Sequence, residues 1–295
     1  MSSKITRTVL TAAMLLASGL FSVAASVKGK VDDINGLRLS IASSTMDSDG
    51  AFKKLLAYTS DREIIIRAGS FAAIGVVAKH LTDSQREMAV DSMMDGLNDS
   101  ALVVQRESAR ALGECGPTAE KAVPPLLSVA EGKIETDASL FAIRALGKIG
   151  RRQDIVVPVL IKMAGEANDD PERQHWEAIP AIQALASFPD DGKAIAADLD
   201  KYVGTKNFDL LAALAETIST VDPGNHDLES IIETLLSSNN LQHRIAGIEA
   251  IDRIPILSEA EIRLLKSAKT NDPSPAIRSM AEVGSSGFLM ARRDE

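Results

Sequence analysis

Residues 111–127, ALGECGPTAEKAVPPLL, and residues 145–161, ALGKIGRRQDIVVPVLI, align without a gap at an offset of 34. They share Ala, Leu and Gly at the head, a second Gly at 116 and 150, Val and Pro at 123–124 and 157–158, and Leu at 126 and 160. Self-similarity at such a period marks stacked units, each of which leaves an apolar face uncovered until a neighbour packs on it. Working outward, the same register recurs at Ala73-Ile74-Gly75, Ala184-Leu185-Ala186, Thr217-Ile218-Ser219 and Ala250-Ile251-Asp252, in steps of 33 to 39 residues, with a weaker copy near Ser286.

Each period holds two helical patterns. The second is the clearer, at 62–79, 100–114, 136–149, 173–187, 207–220, 240–253 and 275–290, with large aliphatic residues Ile74, Leu112, Leu146, Leu185, Ile218 and Ile251 on a buried stripe. First helices are expected at 51–59, 84–97, 119–131, 153–165, 191–203, 227–237 and 258–269. Gly113 with Gly116, and Gly147 with Gly150, sit where the second helix ends, where a left-handed residue closes a helix without a Cβ clash. Asp61, Asp99, Asp170, Asp222 and Asp272 stand in the turns as cap or turn residues. Pro124 and Pro158 share a repeat position and are expected inside first helices, kinking them alike. Composition agrees: 45% of residues are hydrophobic but only 3% aromatic, so the core is aliphatic and Ala-rich, which suits closely packed helices better than strands. The expected fold is all-α, a right-handed α-solenoid of about seven antiparallel helix pairs over residues 51–290. Residues 26–50 form a linker or N-terminal cap whose secondary structure the pattern leaves unassigned.

The second helices also carry a family signature: Ile66-Arg67 leads to Ala73-Ile74-Gly75, Val104 to Ala111-Leu112-Gly113, and Ile277-Arg278 opens the last copy. This resembles the HEAT-like repeats of the group named after phycobilisome lyases. The resemblance implies a solenoid, and an Asp and an Arg six residues apart that hydrogen bond along it. Asp61 with Arg67 and Asp272 with Arg278 fit, and Asp99 is followed at six by Gln105. Ser139, Ala178 and Leu211 occupy the Arg position of the middle copies, so the ladder should break there. The same resemblance offers bilin lyases as an alternative, a cofactor-handling enzyme. Iron-dependent hydroxylases built on related repeats carry His-Glu pairs early in the second helix, where this chain has Ala68-Gly69, Arg106-Glu107, Leu140-Phe141, Ile179-Pro180, Ala212-Ala213 and Ile245-Ala246.

Residues 1–25, MSSKITRTVLTAAMLLASGLFSVAA, have a basic start, an apolar stretch and small residues at the end, the layout of a secretory signal cleaved after Ala25. The expected protein is therefore exported, periplasmic or extracellular, with no membrane span after cleavage; a retained signal would make it a membrane-tethered assembly factor. Lys plus Arg number 32 against 41 Asp plus Glu, a net charge of -9, which argues against a nucleic-acid partner. One cysteine and four scattered histidines give no metal-ligand spacing, and no nucleophile elbow or phosphate loop is present, so no catalytic residue, cofactor or metal is expected. Cys115 aligns with Ile149 and reads as a buried structural thiol.

What remains is a surface. Positions three before and one after the end of each triplet should point away from the core, on the side that solenoids present as a concave face. The first reads Ala72, Arg110, Arg144, Gln183, Glu216, Glu249: neutral, then basic, then acidic. Arg106 and Lys148 lie one turn from Arg110 and Arg144 and reinforce the basic part. These residues are the candidates for binding a protein or peptide, together with Trp176, which sits beside His175, Asp169, Asp170 and Glu172 in the longest linker. Asp-Asp-Pro-Glu there reads as a helix cap rather than a cation site, as does Asp190-Asp191. The expected protein is a monomeric, non-enzymatic binding scaffold.

Overall fold

The computed structural model describes residues 25–43, 48–132, 137–166 and 177–291. Helix α1 covers 25–42. First and second helices then alternate: α2 Ser48–Ala57 and α3 Ile64–Val77, α4 Asp83–Gly96 and α5 Leu102–Glu114, α6 Val123–Ala130 and α7 Asp137–Ile149, α8 Gln153–Glu166 and α9 Ile179–Leu185, α10 Gly192–Leu199 and α11 Phe208–Val221, α12 Leu228–Leu236 and α13 Leu241–Asp252, α14 Glu259–Asn271 and α15 Pro275–Ala291. Among the described residues there is no strand. Contacts divide the chain into two compact units, one up to Ala145 and one from Leu146, the division falling within α7.

Inside each unit the packing has two layers. In the first, α2 lies on α4 and α3 on α5; in the second, first helices α8 and α10, and α12 and α14, are neighbours, while second helices α9, α11, α13 and α15 contact in succession. The triplet explains the second layer. Its middle aliphatic, from Ile74 to Ile251, is at most 1% exposed in every copy. Its Gly lets backbones meet: a Cβ placed on Gly75 would lie 3.0 Å from Cα and Cβ of Ala111, and one on Gly147 would lie 2.9 Å from Cα and Cβ of Ala184. Helix ends follow local chemistry. Thr82 with Gln85, and Ser258 with Glu261, form reciprocal capping boxes at α4 and α14. Gly116 and Gly150 have φ of 56° and 57°, the left-handed closures expected of them.

The two prolines act differently, contrary to their shared repeat position. Pro158 lies inside α8, whereas Pro124 lies in the first turn of α6. Gly116–Ala122 form a tighter 3-10 stretch, with Ala119 off the helical region, so the α-helix begins at Val123 rather than at 119. A proline in the first turn loses only an N–H that has no helical partner anyway.

The Arg ladder is also richer than its sequence signature. Arg67 donates to both carboxylate oxygens of Asp99 in the next repeat, at 2.7 and 2.9 Å, and to the backbone oxygen of Asp61 at 2.9 Å. Arg244, absent from the expected set, does the same to Asp272 and to the backbone oxygen of Ser238. Gln105 keeps only the backbone half, to Asp99 at 2.6 Å. Where the ladder lapses, Ser139, Ala178 and Leu211 are buried in its place, and Thr217 ties α11 to α9 through the backbone oxygen of Ile182.

Helix α1 fills most of the segment left unassigned. It buries Ile34 and Ile41, and Ile34 reaches 3.8 Å from a Cβ position on Gly69 of α3. Polar links fix it: Lys30 pairs with Asp61, Tyr58 donates to Asp33 at 2.6 Å, and Lys54 pairs with Asp33 at 2.8 Å. Burial pushes the Asp33 and Asp61 carboxyls up, but Lys54 with Tyr58, and Lys30 with the Glu63 amide, outweigh it and hold both below the usual carboxylate range. The Asp33 hydrogen bond in turn raises Tyr58 to about 12. Depressed carboxylates stabilise the fold above their unfolded pKa, near 4, and that contribution is lost as pH falls through the lower folded value. Asp33→Asn should therefore lower the urea midpoint at pH 7 and leave it unchanged once pH drops to about 2; an equal loss at both would refute the assignment.

Candidate functional site

Every residue of the expected stripe except Ala72, Arg110 and Glu216, which are half-buried, is exposed. The positions one past the triplet, Val76, Glu114, Lys148, Ser187, Thr220 and Arg253, are exposed as well. Helix phase, set by the buried aliphatics of the triplet, turns these side chains to solvent.

In the first unit the basic residues are partly answered. Glu107 of α5, with its side chain 14% exposed, accepts from Arg106 at 2.8 and 3.0 Å and from Arg110 at 2.9 Å. Arg110 also donates to the backbone oxygen of Ala72 at 3.2 Å, and Arg106 lies 3.5 Å from Asp137. Arg144 stands 5.7 Å from the Phe141 ring centroid, a cation-π distance; Lys148, also expected in the patch, is exposed in the last turn of α7 and belongs to the second unit. The patch is thus an ordered cluster with less surplus charge than its arginines alone suggest.

In the second unit Gln183, Glu216 and Glu249 come together. They line an open groove of about 350 Å³ whose floor is Ile179, Ala212, Ala213, Ile245 and Ala246. Gln183 donates to Glu216 at 3.0 Å, and Arg253 lies 3.7 Å from the other Glu216 oxygen. Asp209, on the same groove, meets His243 at 3.1 Å; that ring stacks on Phe208 with centroids 5.1 Å apart. Beside the groove, burial first and the Glu249 charge second push the Asp252 carboxyl up, against the opposing charge of Arg253. Arg253 and Asp209 were not among the expected site residues, although Arg253 occupies the position one past its triplet.

Trp176 and its acidic neighbours lie outside the described residues. Cys115 is buried, and burial raises its thiol to about 11, so it carries no thiolate at neutral pH. Asp200, His226 and Asp227 present donor atoms within 4.8 Å of one another; the two aspartates are half-buried, but the His226 side chain is 80% exposed, so the three do not make a closed metal centre. Among the described residues no helix is long and apolar enough to cross a membrane.

A family model for HEAT repeats matches residues 90–180. No curated protein matches the sequence. Among solved structures, an engineered protein is similar over 88% of this chain and 73% of its own, at 16% identity and a TM-score of 0.55. One chain of the complex of CpcE and CpcF of phycocyanin lyase from a Nostoc species is similar over 80% of this chain and 94% of its own, at 17% identity and a TM-score of 0.51. Identities this low extend to the fold alone. The repeated triplet, the two-layered helix pairs and the Arg ladder agree with these matches: the chain has the fold of HEAT-like repeat proteins, and residues 90–180 match the HEAT-repeat family itself.

Proposed function

We propose that this protein is an exported, non-enzymatic scaffold that binds a protein or peptide on the solvent-facing side of its second helices. The observation that carries the reading is the second-unit groove, where Gln183, Glu216 and Glu249 meet above an apolar floor. A stable contact needs apolar area to cover and polar groups to fix orientation, and this groove supplies both. The ordered Arg106, Arg110 and Arg144 of the other unit offer a second, basic surface. The net charge of -9 speaks for a protein partner rather than nucleic acid, and the protein acts as a monomer. Export rests on the reading of residues 1–25 as a secretory signal. The alternative of a cofactor-handling enzyme draws on fold likeness alone.

Affinity purification from the exported fraction, followed by mass spectrometry, identifies the partner. Glu216→Lys with Glu249→Lys should then weaken its capture by about tenfold or more while the melting temperature holds. Arg110→Glu with Arg144→Glu tests the basic surface in the same way. Capture unchanged by both pairs would leave these charges as a solvated surface, and an intact Met1 in the exported protein would overturn cleavage.

A further inference from the structure

We propose that the groove between α1 and α3 in the first unit is a docking site for an amphipathic helix of a partner protein, one whose flanks are acidic. The site is separate from the second-unit groove and stands or falls without it.

On α3, Ile65, Gly69, Ala72 and Val76 recur at helical spacing along one side, over about three turns or about 16 Å. Ile65 is 61% and Val76 50% exposed, so two large aliphatic side chains on one stripe are left largely uncovered by the described residues. Val31 and Ile34 of α1 form the wall beside them, and the groove has a volume of about 300 Å³. Between Ile65 and Val76 the floor is low, because Gly69 meets only Ile34 and Ala72 adds a single methyl. A helix laid here with apolar residues at i, i+4, i+7 and i+11 would cover Ile65 and Val76 and fill the dip with a larger side chain.

Charge selects the partner. Arg38 and Arg110 line the groove and no acidic residue does. Arg38 has no ion pair among the described residues and is the charge free to pair; Arg110, which shares Glu107 with Arg106 and donates to the Ala72 backbone oxygen, adds to the positive rim. Guanidinium groups at the edge of an apolar groove pair with carboxylates flanking an apolar stripe. The chain's own apolar run, residues 9–23, contains no acidic residue and cannot supply them.

The test uses the exported chain proposed above, from residue 26 onward, and a fluorescein-labelled peptide of about four helical turns, with leucines at the spacing above and glutamates on both flanks. Binding by anisotropy should weaken about tenfold or more in Ile65→Ser with Val76→Ser, two exposed sites at which the melting temperature should hold. Arg38→Glu should weaken the glutamate peptide about fivefold or more and leave a lysine-flanked version unharmed or improved. Equal binding of the glutamate and lysine peptides would overturn the proposal, as would affinity unmoved by either variant. So would a dimer, seen by sedimentation, that Ile65→Ser with Val76→Ser abolishes, since the occupant would then be a second copy. Tighter binding of a peptide of residues 9–23 would overturn it in favour of the chain's own N-terminus.

Discussion

Arg244→Ala is expected to cost about 3–5 kcal/mol, enough to threaten the second unit's fold. Arg244 and Asp272 have side chains 9% and 6% exposed and meet at 2.8 Å, so removing the guanidinium leaves a buried carboxylate without its counter-charge. The same guanidinium satisfies the backbone oxygen of Ser238 at 2.9 Å, which would be left short of a donor. Arg67→Ala in the first unit should cost less, because its pair with Asp99 is more open, at 15% and 14% exposure. Urea unfolding with hydrogen exchange is the measurement, and α13, α14 and α15 should lose protection first, since α13 packs on α15 and α15 on α14. In Arg244→Met with Asp272→Asn no charge is stranded, so the double variant should lose less than the sum of the single losses. A loss below about 1 kcal/mol for Arg244→Ala would show that the pair is screened like a surface bridge.

Arg244 also shows where a sequence pattern stops being informative. An Asp six residues before an Arg suggests that those two side chains pair, and on that criterion Arg244, preceded by Ser238, does not qualify. In the structure the acceptor six residues back is a backbone oxygen: Asp61 for Arg67, Ser238 for Arg244, Asp272 for Arg278, and Asp99 for Gln105. Any residue can supply that oxygen. The carboxylate at this place receives the Arg of the preceding repeat instead, while capping its own turn, as Asp99 does for the Ala101 amide and Asp272 for the Ser274 amide. The i, i+6 spacing is thus the trace of two separate bonds.

Most helices were legible for a different reason. Their buried positions repeat, and burial tolerates little but small or aliphatic residues at a fixed helical phase. α1 has no repeat partner and carries Gly29 and Gly36, which lower its helix propensity, so it becomes a helix through Ile34, Ile41 and its ion pairs to the first repeat. The candidate surface was half legible. Phase told which side chains face solvent, and the Gln183, Glu216 and Glu249 set does share a groove. What phase could not give was neutralisation: Glu107 sits three and one residues from the two arginines it serves, off the stripe, and removes part of their charge.

Gly147→Leu should be the most damaging small-to-large change in the second-helix layer, and Gly75→Leu its counterpart in the first unit. At both, even the first added carbon lies 2.9 or 3.0 Å from the Cα of the facing alanine, so backbone rather than a movable side chain is in the way. Overpacking of this kind costs about 1–3 kcal/mol, and a leucine, whose branch must follow the Cβ into the same contact, belongs at the upper end. Helix propensity works in the opposite direction, favouring alanine over glycine by about 1 kcal/mol in a helix interior. That opposition supplies the control. Gly36 lies within α1 with nothing within 4 Å of its Cβ position, so Gly36→Ala should raise the melting temperature, while Gly147→Ala lowers it despite the identical chemical change. Opposite signs would separate close backbone approach from propensity as the reason glycine stands third in the triplet. If both alanines stabilise, the layers have room to separate, and the triplet glycine is not a packing requirement.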